Sequence, residues 1–222
     1  MSATRFADRR AAGQALGERL SATGARRSDT VVLGLPRGGV LVAAGVAAAL
    51  AVPMDVLVVR KLGLPWQPEL AMGAIAAVGD TVETVRVSTV LAAARVDAET
   101  FEAVWLHELA ELRRREAAYR NGRPPVAVAG RTVIVVDDGL ATGATMHAAV
   151  VAVRRQAPRA ITAAVPVGSP TACGALAEVV DELVCLSAPR GFRAVGQAYA
   201  DFTATSDAEV RAALAEAAGT SS

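Results

Sequence analysis

Two adjacent carboxylates, Asp137 and Asp138, close the apolar run Val133-Ile134-Val135-Val136, and a loop of small and hydroxylated residues follows, Gly139-Leu140-Ala141-Thr142-Gly143-Ala144-Thr145-Met146. A short run of β-branched residues bounded by turn signals reads as a buried strand, so both acids are delivered to a strand end. The loop's backbone N–H groups, with a helix beginning inside it, make an anion site, and Thr142 and Thr145 add hydroxyl donors. Paired acids beside a phosphate cradle suit a ligand that carries hydroxyls and a phosphate on one small ring, a ribose 5-phosphate. Each charge-assisted hydrogen bond is worth roughly 1.5–3 kcal/mol, so two carboxylates on two ribose hydroxyls would anchor the sugar. An isolated Asp-Asp pair would read as a solvated strand end. The strand before it and the Gly-Thr loop after it favour the phosphosugar site, and the rival Walker-type cradle GxxxxGK[ST] does not occur.

The elements that must position these groups alternate along the chain. Residues 5–21 place Phe6, Leu16 and Leu20 among charges and suggest an amphipathic helix. VVLGL (31–35) is a short apolar run closed by Pro36-Arg37-Gly38-Gly39, a strand ending in a Gly-rich turn. A helix over 40–50 and a strand VLVVR (56–60) follow, and KLGLPWQPE (61–69) reads as a break in regular structure. Residues 71–78 and 81–87 form a strand pair around Gly79-Asp80, and 97–120 a long polar helix with Trp105, Leu109 and Leu112 on one face. Glu111 with Arg115 and Glu116 with Arg120 are favourable i,i+4 pairs. Strand 132–138 leads to a helix through about Gln156, then strand 160–167, a helix capped by Ser169-Pro170, strand 182–188, and a last helix capped by Ser206 and Glu209. Strands separated by helices imply right-handed crossovers and a doubly wound, mainly parallel α/β sheet. The chain reads as one domain over 1–222, with an excursion at about 61–125 of helical and hairpin character.

Composition limits what such a site can serve. The 222 residues carry 23 Lys+Arg against 22 Asp+Glu, and a net charge of +1 argues against a general polyanion or nucleic-acid binder. The charge-free stretch between Arg37 and Asp55 is rich in Ala and Gly and is stopped by Pro53, so it reads as a buried helix and not a membrane span. The N-terminal MSATRFADRRAAGQALGERL has no apolar h-region, so no signal peptide is expected. Cys173 and Cys185 match no zinc spacing, which suits a reducing, cytoplasmic setting.

The string VIVVDDGLATGATM resembles the 5-phosphoribosyl-1-pyrophosphate (PRPP) binding motif of type I phosphoribosyltransferases: an apolar run, two acids, then a TGxT-like phosphate loop. LPRGG, VVRKLG and the overall βα order are also similar to that family, so the resemblance extends loosely over most of the chain. It implies a parallel α/β core with a hood beside it, PRPP and Mg²⁺ as donor and cofactor, and transfer of ribose 5-phosphate to a nitrogenous base with release of pyrophosphate. By position, Asp137 and Asp138 would hold the ribose hydroxyls, Ala141, Thr142, Gly143, Ala144 and Thr145 the 5-phosphate, and Arg37, Gly38 and Gly39 the pyrophosphate. Displacement at the ribose C1 through an oxocarbenium-like state needs an organised sugar and a neutralised leaving group. Arg37 and Lys61, read as the ends of neighbouring strands, are the cations assigned to that neutralisation. Which residues bind the metal is not read from the sequence.

One departure bears on the acceptor. In the 6-oxopurine members an aspartate of the phosphate loop assists the base, and the matching position is Ala141, so hypoxanthine or guanine is not expected by that route. LATGAT looks more like the adenine-using branch and the small competence-type members. The acceptor side is assigned to SAPRGFRAVGQAYADF (187–202), with Phe192 and Tyr199 as stacking candidates against a core-packing alternative. Trp66, Gln67 and Glu69 are weaker candidates, and His107 and His147 read as satisfied or surface imidazoles, the alternative being a catalytic base. Arg113-Arg114-Arg115, with Arg120 and Arg123, reads as a solvated helix face, the alternative being a mobile arm that closes over pyrophosphate. The amphipathic excursion needs cover, so a homo-oligomer is expected. Besides the transferase, two other readings are carried: a non-catalytic PRPP or nucleotide sensor, and a ribose-phosphate hydrolase with water as acceptor.

Overall fold

A computed structural model describes residues 5–23 and 28–219; residues 1–4, 24–27 and 220–222 lie outside the described residues, and with them the first four positions of the N-terminal stretch read above as leaderless. Five parallel strands form one sheet in the order β2-β1-β6-β7-β8: β1 (Thr30–Gly34), β2 (Met54–Val56), β6 (Thr132–Val136), β7 (Ala160–Val167) and β8 (Glu182–Ser187). Because helices or a second sheet cover both faces, the strands are apolar at consecutive positions instead of alternating. Val31, Leu33, Val133, Val135, Ile161, Ala163 and Val165 face a core shared with α5 (Ala144–Arg154), whereas Val32, Ile134, Val136 and Ala164 face α1 (Arg9–Ala22) and α2 (Gly38–Leu50). The Ala- and Gly-rich α2, read as a buried helix, is one, and among the described residues no helix is long and apolar enough to cross a membrane.

Between β2 and β6 the chain leaves this sheet. Strands β3 (Val59–Leu64), β4 (Gln67–Val78) and β5 (Thr81–Arg86) form an antiparallel sheet, followed by α3 (Ser88–Ala93) and α4 (Ala98–Arg120). Asp97 caps α4 through Thr100 N–H at 2.7 Å, which fixes the start of the long helix where the sequence placed it.

Two expectations need correction. VLVVR (56–60) is not one strand: Leu57 N–H donates to Gly34 at 3.0 Å, while the Val58 carbonyl accepts from Ala77 N–H at 3.0 Å, so the chain changes sheets at Leu57-Val58. A continuous apolar run carries no punctuation that would mark the change, and Lys61 consequently lies inside β3, paired with Ala74, not at the end of a parallel strand. KLGLPWQPE is likewise a hairpin. Leu64 pairs with Gln67 across Pro65-Trp66, and register shifts at Leu62–Leu64 leave Pro68 unpaired, where its missing N–H costs nothing.

The remaining elements are α6 (Pro170–Ala177), a 3-10 turn Val195–Ala198, and α7 (Asp207–Gly219). Ser206 and Glu209 cap α7 reciprocally: Ser206 N–H donates to the Glu209 carboxylate at 2.8 Å and Glu209 N–H to Ser206 Oγ at 3.2 Å. The segment before α7 runs back along the N-terminus, with Phe6 N–H donating to Ala198 and Ala200 N–H to Phe6, both at 2.7 Å.

Candidate active site

Strand β6 ends at Val136 and sets Asp137 and Asp138, both half-buried, at the carboxyl edge of the sheet, where ligands of doubly wound folds bind. Asp137 Oδ1 accepts the Asp138 N–H at 2.8 Å. Asp138 Oδ2 accepts Arg9 Nε at 2.7 Å, and the Asp138 carbonyl accepts the Tyr199 hydroxyl at 2.6 Å. The two acids are therefore held differently. Burial, and then the neighbouring Asp138 charge, push the Asp137 carboxyl well above the usual carboxylate range, partly offset by the Asp138 amide and Arg9. The Tyr199 hydroxyl is pushed above its usual range by burial and then by Asp138, which keeps it a donor.

The Pro36-Arg37-Gly38-Gly39 turn packs directly on this pair. A Cβ at Gly38 would overlap the Asp138 carboxylate and Arg9, and one at Gly39 would lie 2.8 Å from Asp137 Cα and Oδ1. Glycine is what lets the start of α2 and the diacid share one edge. Arg37 stands at the N-cap of α2 with an exposed side chain; Lys61 is also exposed, and neither takes part in an ion pair among the described residues.

Beyond the diacid the loop is stitched to the next strand. Leu140 N–H donates to Val167 at 2.9 Å, Ser169 N–H to Leu140 at 2.8 Å, and Ser169 Oγ to the Ala141 carbonyl at 2.8 Å. Gly143 takes a left-handed conformation (φ 79°) and starts α5 at Ala144, whose N–H points to Thr142 Oγ1 at 3.4 Å. Ala141, Thr142 and Ala144 are exposed, so the free N–H groups of the first turn of α5 open to solvent beside the acids. Within the fourteen-residue motif, residues 133–136 with Leu140 and Met146 are buried, and the exposed part is the loop at Ala141, Thr142 and Ala144.

Phe192 and Tyr199 separate. Phe192 is half-buried and lines a 360 Å³ cavity with Val167, Ser187, Pro189 and Gln197, at the carboxyl ends of β7 and β8. Val195 of the same segment packs against Gly139, the residue after Asp138. Tyr199 is 2% exposed and lies between Phe6 and Phe202, ring centroids 5.9 and 5.1 Å away; it supports Asp138 from behind and offers no face to a ligand. The core-packing alternative holds for Tyr199.

Other candidates fall outside this cluster. Trp66 (61% exposed) sits at the hairpin tip between β3 and β4, Gln67 and Glu69 are exposed at the start of β4, and His107 and His147 are exposed on α4 and α5. The arginine run is engaged within its own helix and its neighbours. Arg114 and Arg115 pair with Glu111 at 2.7 and 2.6 Å, and Arg113 pairs with Glu116 at 2.7 Å. Arg120 is buried between Glu116 and Asp55, and Arg123 donates to the Leu214 carbonyl. These contacts fit neither a wholly solvated face nor a free arm. Sequence reasoning missed Arg9 and the supporting role of Tyr199. Arg9 is 129 positions from Asp138 and sits in an ordinary charged helix start, so no local signal marks it.

Comparison with known proteins agrees with the geometry. A family profile described as the phosphoribosyl transferase domain matches residues 5–189. Proteins from Mycobacterium tuberculosis strains CDC 1551 / Oshkosh and H37Rv, each provisionally named a phosphoribosyl transferase, are 47% identical over 209 residues, 94% of this chain and 46% of theirs. The chain thus spans about half the length of these curated relatives. The crystal structure of TT1426 from Thermus thermophilus is similar at 45% identity with a TM-score of 0.83, over 96% of this chain and 99% of that one.

Proposed function

The chain belongs to the phosphoribosyl transferase domain family, and from that premise we propose that it uses PRPP to transfer ribose 5-phosphate to a nitrogenous acceptor, releasing pyrophosphate. The observation that carries this reading is the single edge on which the diacid, the open start of α5 and the Arg37-Gly38-Gly39 turn meet. In the reaction the bond from ribose C1 to the pyrophosphate oxygen breaks and its electron pair leaves with pyrophosphate. A bond from C1 to the acceptor nitrogen forms, and that nitrogen gives up its proton.

Asp137 and Asp138 accept the two ribose hydroxyls and orient C1. The amides and hydroxyls of Ala141, Thr142, Gly143, Ala144 and Thr145 hold the 5-phosphate. Arg37, with the first amides of α2 at Gly38 and Gly39, takes the charge that develops on pyrophosphate. The acceptor occupies the cavity walled by Phe192 and Val167. The cavity's lining of Val167, Pro189, Phe192 and Ala194, with Ser187 and Gln197 as polar members, suits a largely apolar acceptor. Ala141 brings no acid to the loop, which argues against an acceptor that needs a carboxylate partner there.

Mg²⁺ belongs to this reading as the cofactor. When bound with the donor it would supply positive charge at the pyrophosphate leaving group, beside the Arg37-Gly38-Gly39 turn assigned to that group. A cytoplasmic setting is supported by the free thiols Cys173 and Cys185, the latter pushed up to about 12 by burial and by Cys173 beside it. Self-association is supported by exposed Trp66, Leu70 and Leu106 on the excursion.

The test is pyrophosphate release from PRPP with Mg²⁺ across a panel of bases. Turnover with one acceptor is expected, abolished in Asp137→Asn/Asp138→Asn while the variant stays folded. Saturable PRPP binding without turnover on any base would replace the transferase by the sensor. Release without an acceptor would replace it by the hydrolase.

A further inference from the structure

Arg9 is 8% exposed and has three engagements. Nε donates to Asp138 Oδ2 at 2.7 Å, Nη1 donates to the Thr203 carbonyl at 2.8 Å, and the guanidinium carbon lies 4.0 Å over the Phe202 ring. A guanidinium is the side chain suited to this combination. It is planar, permanently charged, presents donors in a fixed fork, and stacks on an aromatic face. Both flanking segments are fastened to each other: Ala200 N–H donates to Phe6 at 2.7 Å and Asp201 N–H to Ala7 at 2.9 Å. Tyr199, in the same segment, holds the Asp138 carbonyl. The α1 start and the segment before α7 therefore grip Asp138 from both its side chain and its backbone, while the Asp137 carboxyl has, among the described residues, only the Asp138 amide as a hydrogen-bond donor.

We propose that Arg9 is a positioning residue of the sugar site, a fixed cation that aims the Asp138 carboxylate and lets two adjacent acids be ionised together when a sugar binds. The inference rests on the reading that the diacid holds ribose. Asp138 Oδ2 faces Arg9, so its other oxygen is the one left to accept a hydroxyl, and the orientation of the pair is set before the ligand arrives. Removal of Arg9 leaves two carboxylates side by side with no fixed positive charge against them. Adjacent like charges then oppose joint ionisation more strongly. The titratable and charged groups that face the pair are Arg9 from α1, the two acids themselves at the end of β6, and the Tyr199 hydroxyl; Asp201, held low chiefly by its hydrogen bonds from Thr203, and Glu209, held low chiefly by those from Ser206, also feel the Arg9 charge.

The experiment measures ribose 5-phosphate affinity by calorimetry from pH 5 to 9 for the full chain, Arg9→Gln and Arg9→Lys, with thermal unfolding of the same samples. The expected result is about tenfold or weaker binding for Arg9→Gln at neutral pH, from the loss of one charge-assisted contact to Asp138. The acid limb of its affinity profile should move to higher pH relative to the full chain. Arg9→Lys, which keeps the charge but not the fork, should restore the position of the limb and part of the affinity. Titration of the ligand's own phosphate is common to all three proteins and cancels in the comparison. Unchanged affinity in Arg9→Gln, or weaker affinity with an unmoved limb and no rescue by lysine, would overturn the inference and leave the sugar site standing. Absence of binding by the full chain would overturn the sugar site itself and this inference with it. If Arg9→Gln does not fold, the lysine variant decides: an acid limb matching the full chain supports the inference and a shifted one rejects it.

Discussion

At the scale of single residues, the diacid is an arrangement that costs stability. Folding raises the Asp137 carboxyl above its ordinary 3.8 through burial and the Asp138 charge, so the folded state holds the proton more tightly than the unfolded chain. Stability then declines as pH rises from near 3.8 through the raised folded value, and above it the penalty is fully present. Each unit of that rise amounts to about 1.36 kcal/mol, or about 2–4 °C in Tm for a chain of this size. Asp137→Asn, which cannot ionise, should melt at least ~2 °C higher than the parent at pH 7–8, and the difference should vanish below about pH 4. Equal melting temperatures at neutral pH would show that the acid is not held at a cost. The acids and the small-residue loop were legible in the sequence because they are consecutive along the chain. Arg9 and Tyr199 were not, since their partners lie 129 and 61 positions away and only the fold brings them together.

At the scale of elements, α4 shows where local pattern misleads. Glu116 and Arg120 at i,i+4 are the spacing of a solvated helix pair worth a few tenths of a kcal/mol. Here both are 7% exposed, and Arg120 also reaches Asp55 of β2, Nε to Oδ1 at 3.1 Å and Nη2 to Oδ2 at 3.0 Å. Asp55 in turn accepts the N–H groups of Val56 and Val126 at 2.8 and 3.0 Å. Arg120 thus pairs with two buried carboxylates, one of which it shares with Arg113, and ties the end of the excursion to the edge strand of the parallel sheet. Arg120→Ala would leave Asp55 buried with no counter-charge and Glu116 with Arg113 as its remaining partner among the described residues, at a cost of about 3–5 kcal/mol. A fall in Tm on the order of 10 °C is expected. A change below ~2 °C in calorimetry would mean that water already screens the pair. Strand and helix order in the parallel sheet followed from periodicity and punctuation. The change of sheets at Leu57-Val58 and the hairpin across Pro65-Trp66 did not, because neither a continuous apolar run nor a Pro-rich turn says which partner strand it will find.

At the scale of the whole molecule, the question is whether the excursion 61–125 is a separable module or part of one folding unit, and the packing argues for the second. Ala76 and Val78 of β4 are buried in the same core as Val31, Val133 and Val135 of the parallel sheet. A second core joins Val40 and Leu41 of α2 with Leu62, Ile75, Leu112 and Tyr119 of the excursion and Val210 and Leu214 of α7. Tyr119 Oη donates to Asp207 at 2.9 Å, which pins α4 to the start of the last helix. Neither the sheet nor the excursion keeps its apolar face covered when the other opens, so exposure of one exposes both. Thermal unfolding is therefore expected as a single transition with equal calorimetric and van't Hoff enthalpies. Under limited heating, amide exchange in β4 should follow that of β1 and β6. Two resolved transitions, or exchange of the excursion at temperatures where the parallel sheet stays protected, would show that the shared cores do not couple the halves. Coupling of this kind has a functional consequence. Asp55 and Arg120 at the far edge, and the α2 turn that bears Arg37, belong to the unit that holds the diacid, so a destabilised excursion should weaken the proposed binding of PRPP without touching the site.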